Sequence, residues 1–557
     1  MTDRLTIALA QTNPTVGDLE GNFALIRDVH ARAAKAGADL VLFSEMVVAG
    51  YPPEDLVKKP FFLDKVEAVV HRLAELTYKN DTAMIVGAPW RVEGKLFNAA
   101  LLLDGGEIAA VRAKHELPNY GVFDEKRLFD AGDLTGPVVF RGVALGLMIC
   151  EDMWYPDVTE CQQECGADIL LVSNGSPFDR RNVESRMQSA VARVTESGLP
   201  MVYVNQVGGQ DELVFDGASF VLNADRGLVL QLPSFEAGFA ISDWQRGAEG
   251  WQAAAGEMIK PPEDMETIYR AMVVGLRDYV TKNGFPGVVL GMSGGIDSAL
   301  SAAVAVDALG ADKVHCVMMP SPYTSHESLE DAAEAVKLLG CRLDEINIGP
   351  AMTAFDEMLK PLFGDRNADI TEENIQSRAR GLTLMAISNK FGKMVLTTGN
   401  KSEMSVGYAT LYGDMCGGYS VLKDIYKMDV FRLCRWRNEG KPQAWAEILK
   451  GPDGPVMPER IITKPPSAEL RPDQKDEDSL PPYEVLDDIL ECLIEHEMGV
   501  GEITARGHAP ETVQRVWKLL DLAEYKRRQA PPGVKVTSRA FGKDRRYPIT
   551  NAFRKII

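Results

Sequence analysis

Residues 286–300 read PGVVLGMSGGIDSAL. The apolar run Val288-Val289-Leu290 enters a glycine- and serine-rich loop, and Ala299-Leu300 then open a helical pattern. A strand, a glycine loop and a helix N-terminus in succession place backbone N–H groups around an anion. Gly291, Met292, Ser293, Gly294, Gly295, Ile296, Asp297 and Ser298 are therefore expected to cradle phosphates. No lysine follows the glycines as in G-x-x-x-x-G-K-[ST], where it reaches the β- and γ-phosphates. The loop is thus expected to serve cleavage of a different phosphate bond. Asp297, beside the phosphates, fits a magnesium anchor, because Mg²⁺ takes oxygen from carboxylate and phosphate together.

Working outward, VHCVMMP (314–320), LDEINIG (343–349) and KMVLTTG (393–399) read as strands. The helical patterns SLEDAAEAVKLLG (328–340) and NIQSRARGLTLMAISNKFG (374–392) separate them. This alternation predicts a doubly wound parallel sheet. Residues 1–245 predict a second α/β domain, with strands at RLTIALAQ, ADLVLFSEM, AMIVGAPW, VALGLMIC, ADILLVSNGS and LPMVYVNQ, and hairpins turning at 104–106 and 223–227. Between the two, the stretch around Pro261-Pro262 shows no sustained period. The expected division is 1–245, a linker over 246–262, and 263–557. The charged, proline-flanked stretch 468–482 is expected to be a loop and a lid.

A chain of 557 residues with 45% hydrophobic composition suits more than one core. Its net charge of -20 disfavours bulk nucleic-acid or anionic-lipid binding. No apolar run reaches bilayer length and no secretory leader pattern opens the chain, so no membrane association and a cytoplasmic location are expected. The eight cysteines are scattered as in a reducing compartment; Cys161 and Cys165 have no second Cys/His pair at finger spacing and read as two small positions of one helix.

The loop SGGIDS resembles that of the N-type ATP pyrophosphatases, which cleave between the α- and β-phosphates and adenylylate an acceptor oxygen. Downstream, MMPSPYTSHESLEDA, ENIQSRARG, TTGNKSEMSVGYATLYGDM, LKDIYK and EYKRRQAPPG resemble, in order, segments of the NAD synthetases, which amidate deamido-NAD⁺. The resemblance implies that residues 291–298, Thr398 and Lys423 bind ATP. It implies that Asp297 and Glu403 hold Mg²⁺, and that Asn374, Arg378, Glu403, Asp414 and Lys526 contact deamido-NAD⁺. The chemistry agrees. Ammonia cannot displace oxide from a carboxylate, so the oxygen must first become a leaving group, and adenylylation makes it one. The family also implies pairing of synthetase domains, hence a homo-oligomer built on dimers.

Ammonia is mostly ammonium at neutral pH, so an amidating enzyme gains from releasing ammonia itself. Cys150 leaves an apolar strand at a turn, as a nucleophile would; Glu45 ends another strand and suits a general base; Lys114 offers charge to a thiolate and an oxyanion. Taken singly, each also reads as an ordinary core or surface residue. Together, with SEM, K-x-x-LP and CEDMW around them, they resemble the Glu-Lys-Cys triad of the nitrilase superfamily, a four-layer α-β-β-α fold that hydrolyses C–N bonds. Glu125 matches a further glutamate near that triad. LPNYGVFDE and SNGSPF resemble the glutaminase domain of the glutamine-dependent NAD synthetases, implying that Tyr120 and Ser176 hold glutamine. The family often has a lysine six residues past that serine; here Asn182 stands there, with Arg181 as the alternative carboxylate contact. Other acceptors for the same loop, as in GMP, argininosuccinate or thiolated-tRNA synthesis, fit less well: no basic patch suits tRNA, and the glutaminases of GMP synthesis pair cysteine with histidine. A nucleotide-sensing regulator predicts broken motifs, and Glu45, Lys114, Cys150 and Asp297 are all present.

Overall fold

In RLTIALAQ, Leu5, Ile7 and Leu9 fall on one side of a strand and Ala8 and Ala10 on the other, and all five are buried. Such a strand needs cover on both faces. The computed structural model describes residues 3–471, 474, 476 and 480–551, without the side chains of Asn80, Asn182 and Val183. It divides into two units, Met1–Glu263 and Asp264–Ile557.

The first unit holds β1 (Arg4–Gln11), β2 (Leu40–Phe43), β3 (Ala83–Val92), β4 (Lys95–Asp104), β5 (Glu107–Ala113), β6 (Val138–Phe140), β7 (Val143–Ile149), β8 (Ile169–Asn174), β9 (Met201–Asn205), β10 (Val207–Gln210), β11 (Leu213–Asp216), β12 (Phe220–Leu222), β13 (Leu228–Gln231), β14 (Gly238–Gly247) and β15 (Gly250–Ala253). One sheet runs β15-β14-β1-β2-β3-β4-β5 and a second β13-β12-β9-β8-β7-β6. In each, three central strands are parallel and the flanking ones antiparallel. Ile7 and Leu42 of the first sheet share a core with Leu147, Leu171 and Val202 of the second. The first sheet's other face, with Val41 and Phe43, packs on α1 (Leu19–Lys35) and α2 (Pro60–Asn80). Met148 and Val172 pack on α3 (Pro156–Glu164) and α4 (Asn182–Ser197). The layering is α-β-β-α.

One expectation needs correction. Residues 250–253, read as linker, form β15, which pairs with β14 in the register Gly247↔Gly250 and buries Trp251 and Ala253 on one face. A four-residue strand is too short for its alternation to register as a period. The stretch 468–482 lies partly outside the described residues.

The second unit holds β16 (Val288–Gly291), β17 (Val314–Met318), β18 (Arg342–Glu345), β19 (Met394–Thr397) and β20 (Tyr419–Ser420), all parallel, in the order β18-β17-β16-β19-β20. Its helices are α5 (Asp264–Lys282), α6 (Ile296–Leu309), α7 (His326–Leu339), α8 (Gly349–Phe363), α9 (Ile370–Phe391), α10 (Lys401–Val406), α11 (Lys427–Asn438), α12 (Glu459–Thr463), α13 (Tyr483–Ile494), α14 (Val500–Ala505), α15 (Pro510–Leu522) and α16 (Glu524–Arg527). The order reverses between β16 and β19, and the crevice beyond the carboxyl ends of strands at such a reversal is where ligands bind. α10 is anchored from far along the chain: the buried Lys401 ammonium lies 2.8 Å from Asp424 and donates to Thr537 Oγ1 (2.7 Å) and the Arg539 carbonyl (3.0 Å).

Candidate active sites

In the first unit four of the predicted residues sit just past strand ends: Glu45 after β2, Lys114 after β5, Cys150 after β7 and Ser176 after β8. β3 passes so close beneath the Glu45 turn that a Cβ on Gly87 would lie 2.2 Å from the Met46 nitrogen. Lys114 Nζ donates to Glu45 Oε1 at 2.8 Å and lies 2.9 Å from Glu125 Oε2, with no solvent exposure at Lys114 or Glu45. Glu45 also accepts from Asn98 Nδ2 (2.6 Å) and the Gly175 N–H (2.8 Å), so its carboxylate is fixed from both sheets. Tyr51 Oη donates to Glu125 at 2.8 Å.

Burial works against the Lys114 charge, but the Glu125 and Glu45 carboxylates outweigh it and hold its pKa well above the usual lysine value. Burial pushes Glu125 up to about 7 against the pull of Lys114. Cys150 is buried, with a left-handed φ of 47°. Burial, then the Glu45 carboxylate, push its thiol well up, and Lys114 pulls it down. A thiol so placed reacts only when a base takes its proton, and a carboxylate and an ammonium flank it for that step.

One residue here was not singled out from the sequence. Asp152 accepts backbone N–H bonds from Ile149 (2.9 Å), His115 (3.1 Å) and Glu116 (2.8 Å), tying the Cys150 turn to the chain just past Lys114. Burial pushes its carboxyl up to about 6 despite those donors. Its signal was an acid two residues after the cysteine; its partners, more than thirty residues upstream, were invisible.

Tyr120 is half exposed and donates to Glu151, next to Cys150, at 2.9 Å. Ser176 is buried, held through its N–H to Asn205 Oδ1 (2.9 Å) and by Arg186 Nη2 to its hydroxyl (3.4 Å). Arg186 in turn makes two 3.0 Å bonds to Asp216. Arg181 is exposed at the start of α4, and the Asn182 side chain lies outside the description.

In the second unit, residues 291–298 line a cavity of about 300 Å³ at the β16/β19 reversal, with α6 beginning at Ile296. Gly294 has φ 80°, and a Cβ there would lie 2.2 Å from the Ser328 carbonyl oxygen, so the position needs glycine. Ser298 Oγ donates to the Gly295 carbonyl (2.9 Å) and lies 3.1 Å from Ser293 Oγ, closing the loop. Thr398, Lys423, Glu403 and Asp414 line the same cavity.

Asp297 and Glu403 meet through one cation. Lys427 Nζ, buried, donates to Asp297 Oδ2 (2.5 Å) and Glu403 Oε1 (3.0 Å). Burial pushes Glu403 up to about 7 against the pull of Lys427, and the Asp297 charge adds to the push. LKDIYK contains two lysines: Lys423 lines the cavity, and Lys427, which the sequence did not single out, bridges the carboxylates. Among the described residues no group of three or more His, Cys, Asp or Glu could hold a metal ion. An acidic pair nonetheless fits Mg²⁺, which completes its shell with phosphate and water oxygen.

Asn374, Arg378, Asp414 and Lys526 converge on the segment 407–414. Thr410 donates through Oγ1 to Asn374 Oδ1 (3.0 Å) and through N–H to Asp414 Oδ1 (2.7 Å). Arg378 Nε donates to the Leu411 carbonyl (3.2 Å), and Lys526 Nζ to the carbonyls of Gly407 (2.8 Å) and Ala409 (2.7 Å). Asp414 lines the cavity; the other three grip this segment.

The chain matches the carbon-nitrogen hydrolase family over residues 6–252 and the NAD synthase family over residues 268–530. The glutamine-dependent NAD(+) synthetase of Rhodobacter capsulatus is 51% identical over 554 residues, covering 100% of both chains. The chain belongs to the glutamine-dependent NAD(+) synthetases. A glutamine-dependent NAD(+) synthetase of Acinetobacter baumannii, solved in complex with adenosine diphosphate, is 43% identical over 98% of each chain with a TM-score of 0.78. That of Cytophaga hutchinsonii, at 20% identity and a TM-score of 0.81 over 99% of this chain and 98% of that one, shares the fold. The Glu45–Lys114–Cys150 cluster lies in the hydrolase-matched region and the glycine-loop cavity in the NAD synthase-matched one. No described helix is long and apolar enough to cross a membrane.

Proposed function

We propose that the chain converts deamido-NAD⁺, ATP and glutamine to NAD⁺, AMP, pyrophosphate and glutamate. The observation that carries this reading is a buried carboxylate–ammonium–thiol cluster and a separate phosphate-loop cavity in one chain. In the first site Glu45 takes the Cys150 proton, the sulfur attacks the glutamine carboxamide, Lys114 stabilises the oxyanion, and Glu45 returns the proton to the departing nitrogen so that the C–N bond breaks and ammonia leaves. Glu45 then activates the water that releases glutamate. Tyr120 and Ser176 hold glutamine, with Arg181 or Asn182 at its α-carboxylate.

In the second site the nicotinate oxygen attacks the α-phosphorus of ATP, and backbone N–H groups of residues 291–298 take up charge on the departing pyrophosphate. Ammonia then displaces AMP. Thr398, Lys423 and Lys427 contact ATP; Asn374, Arg378, Glu403, Asp414 and Lys526 hold the dinucleotide directly or through the segment 407–414. Asp297 and Glu403 would hold magnesium, which when bound supplies positive charge at the pyrophosphate.

The molecule acts in the cytoplasm as a homo-oligomer built on synthetase-unit dimers. The exposed apolar side chains Met358 and Leu362 of α8 and Ile370 and Leu382 of α9 support such a contact face. The deciding experiment compares nitrogen donors. Cys150→Ala should abolish glutamine-supported NAD⁺ formation and leave ammonium-supported formation within about twofold of the parent, with AMP as co-product. ADP as co-product, or equal loss with both donors, would overturn the reading.

A further inference from the structure

Asp297 and Glu403 are carried by the chain after two different strands, β16 and β19, on either side of the sheet's reversal. Lys427 offsets one of their two charges, but an ammonium on a long stem is a rotating point charge and sets no plane for a carboxylate. A second side chain joins the same two elements. Asn400, fully buried, stands at the N-cap of α10. Its Oδ1 accepts the Glu403 N–H at 2.9 Å, and its Nδ2 donates to Asp297 Oδ1 at 2.9 Å.

We infer that Asn400 is a positioning residue of the synthetase site, fixing the Asp297 carboxylate relative to Glu403; the inference rests on the proposed role of that pair. The chemistry selects the amide. Asp or Ser would cap α10 as well as Asn does, so capping leaves the choice of residue open. Only a side chain with an acceptor and a donor in one plane serves the Glu403 N–H and the Asp297 carboxylate together. Asn400 takes one Asp297 oxygen and Lys427 the other, which fixes the carboxylate plane and leaves its remaining lone pairs for a ligand in the cavity. The same amide starts the helix that carries Glu403 three residues on. Orienting bonds of this kind behind a metal-binding pair are worth on the order of 10–100-fold in affinity or rate.

Two variants separate positioning from folding. Asn400→Ser keeps the cap, but its side chain is one atom shorter and withdraws the donor from Asp297. Asn400→Asp keeps the cap and sets an acceptor against Asp297. Asn400→Ser should melt close to the parent and Asn400→Asp lower, since two buried carboxylates then face each other, and both should hydrolyse glutamine at the parent's basal rate. Calorimetric titration with ATP at stepped magnesium should show the magnesium required for half-maximal binding raised on the order of tenfold or more, Asp worse than Ser. Ammonium-supported turnover should fall in the same order. Parent-like magnesium dependence in both variants, or losses that follow the fall in melting temperature alone, would overturn the inference. If the parent makes no AMP from ATP and deamido-NAD⁺, the reading of the site fails instead, independently of either variant.

Discussion

Cys150, Glu45 and Lys114 were legible because each carries its chemistry in its type and leaves a strand that can be read from alternation. Asp152, Asn400 and Lys427 were not, because what defines them is a partner 36, 103 or 130 positions away. Asp152→Asn tests the first of these. One amide oxygen cannot serve three N–H groups, and its NH₂ would face a donor, so the Cys150 turn should slip. Glutamine hydrolysis should fall on the order of 10–100-fold and alkylation of Cys150 by iodoacetamide should slow, with ammonium-supported synthesis unchanged. Parent-like alkylation would sink this account. Glu125 gives a pH prediction. Its folded pKa, pushed up to about 7 by burial, exceeds its unfolded value, so the folded state binds the extra proton between about 4.5 and 7. Its contribution is fully present below that window and is lost as pH rises through it. Glu125→Gln cannot titrate, so its stability should decline less than the parent's from pH 5 to 8, measured by denaturant midpoints.

Among elements, the long apolar strands were read correctly and β15 was missed for want of length. The start of α11 was equally hidden, since it is set by a side chain from α13. Asp487 accepts the Met428 N–H at 2.8 Å and the Ser402 hydroxyl, and Ser402 Oγ in turn accepts the Lys427 N–H at 2.8 Å. The helix that presents Lys427 is therefore capped from another element. Asp487→Ala should cost about 1–2 kcal/mol in equilibrium denaturation of the second unit. It should also raise the KM for ATP, because Lys427 is the first residue of that helix. An unchanged denaturation midpoint would remove the cap from the explanation.

At the scale of the whole chain, each unit has its own core: sheet against sheet in the first, and a sheet with helices on both faces in the second. The two-part organisation could be read from alternation alone, while the end of the first part could not, because β15 hides there. A cut between Glu263 and Asp264 should give two folded proteins. The first should hydrolyse glutamine, and the second should make NAD⁺ from ammonium. A second unit that is folded but inactive with ammonium would show that its site needs the first.

The anchoring of Lys401 by Thr537 and Arg539 has a consequence for biosynthesis. A chain emerging from the ribosome completes its first unit once residue 263 is out, since among the described residues no later segment belongs to that core. The helix bearing Glu403 has no such early finish. Lys401, two residues before it, is satisfied only when residues 537–539 arrive, 136 to 138 positions later. Until then the ammonium at Lys401 faces Asp424 and Glu495 without its last two acceptors. The order of synthesis thus closes the core of the first unit well before it anchors the helix that carries Glu403.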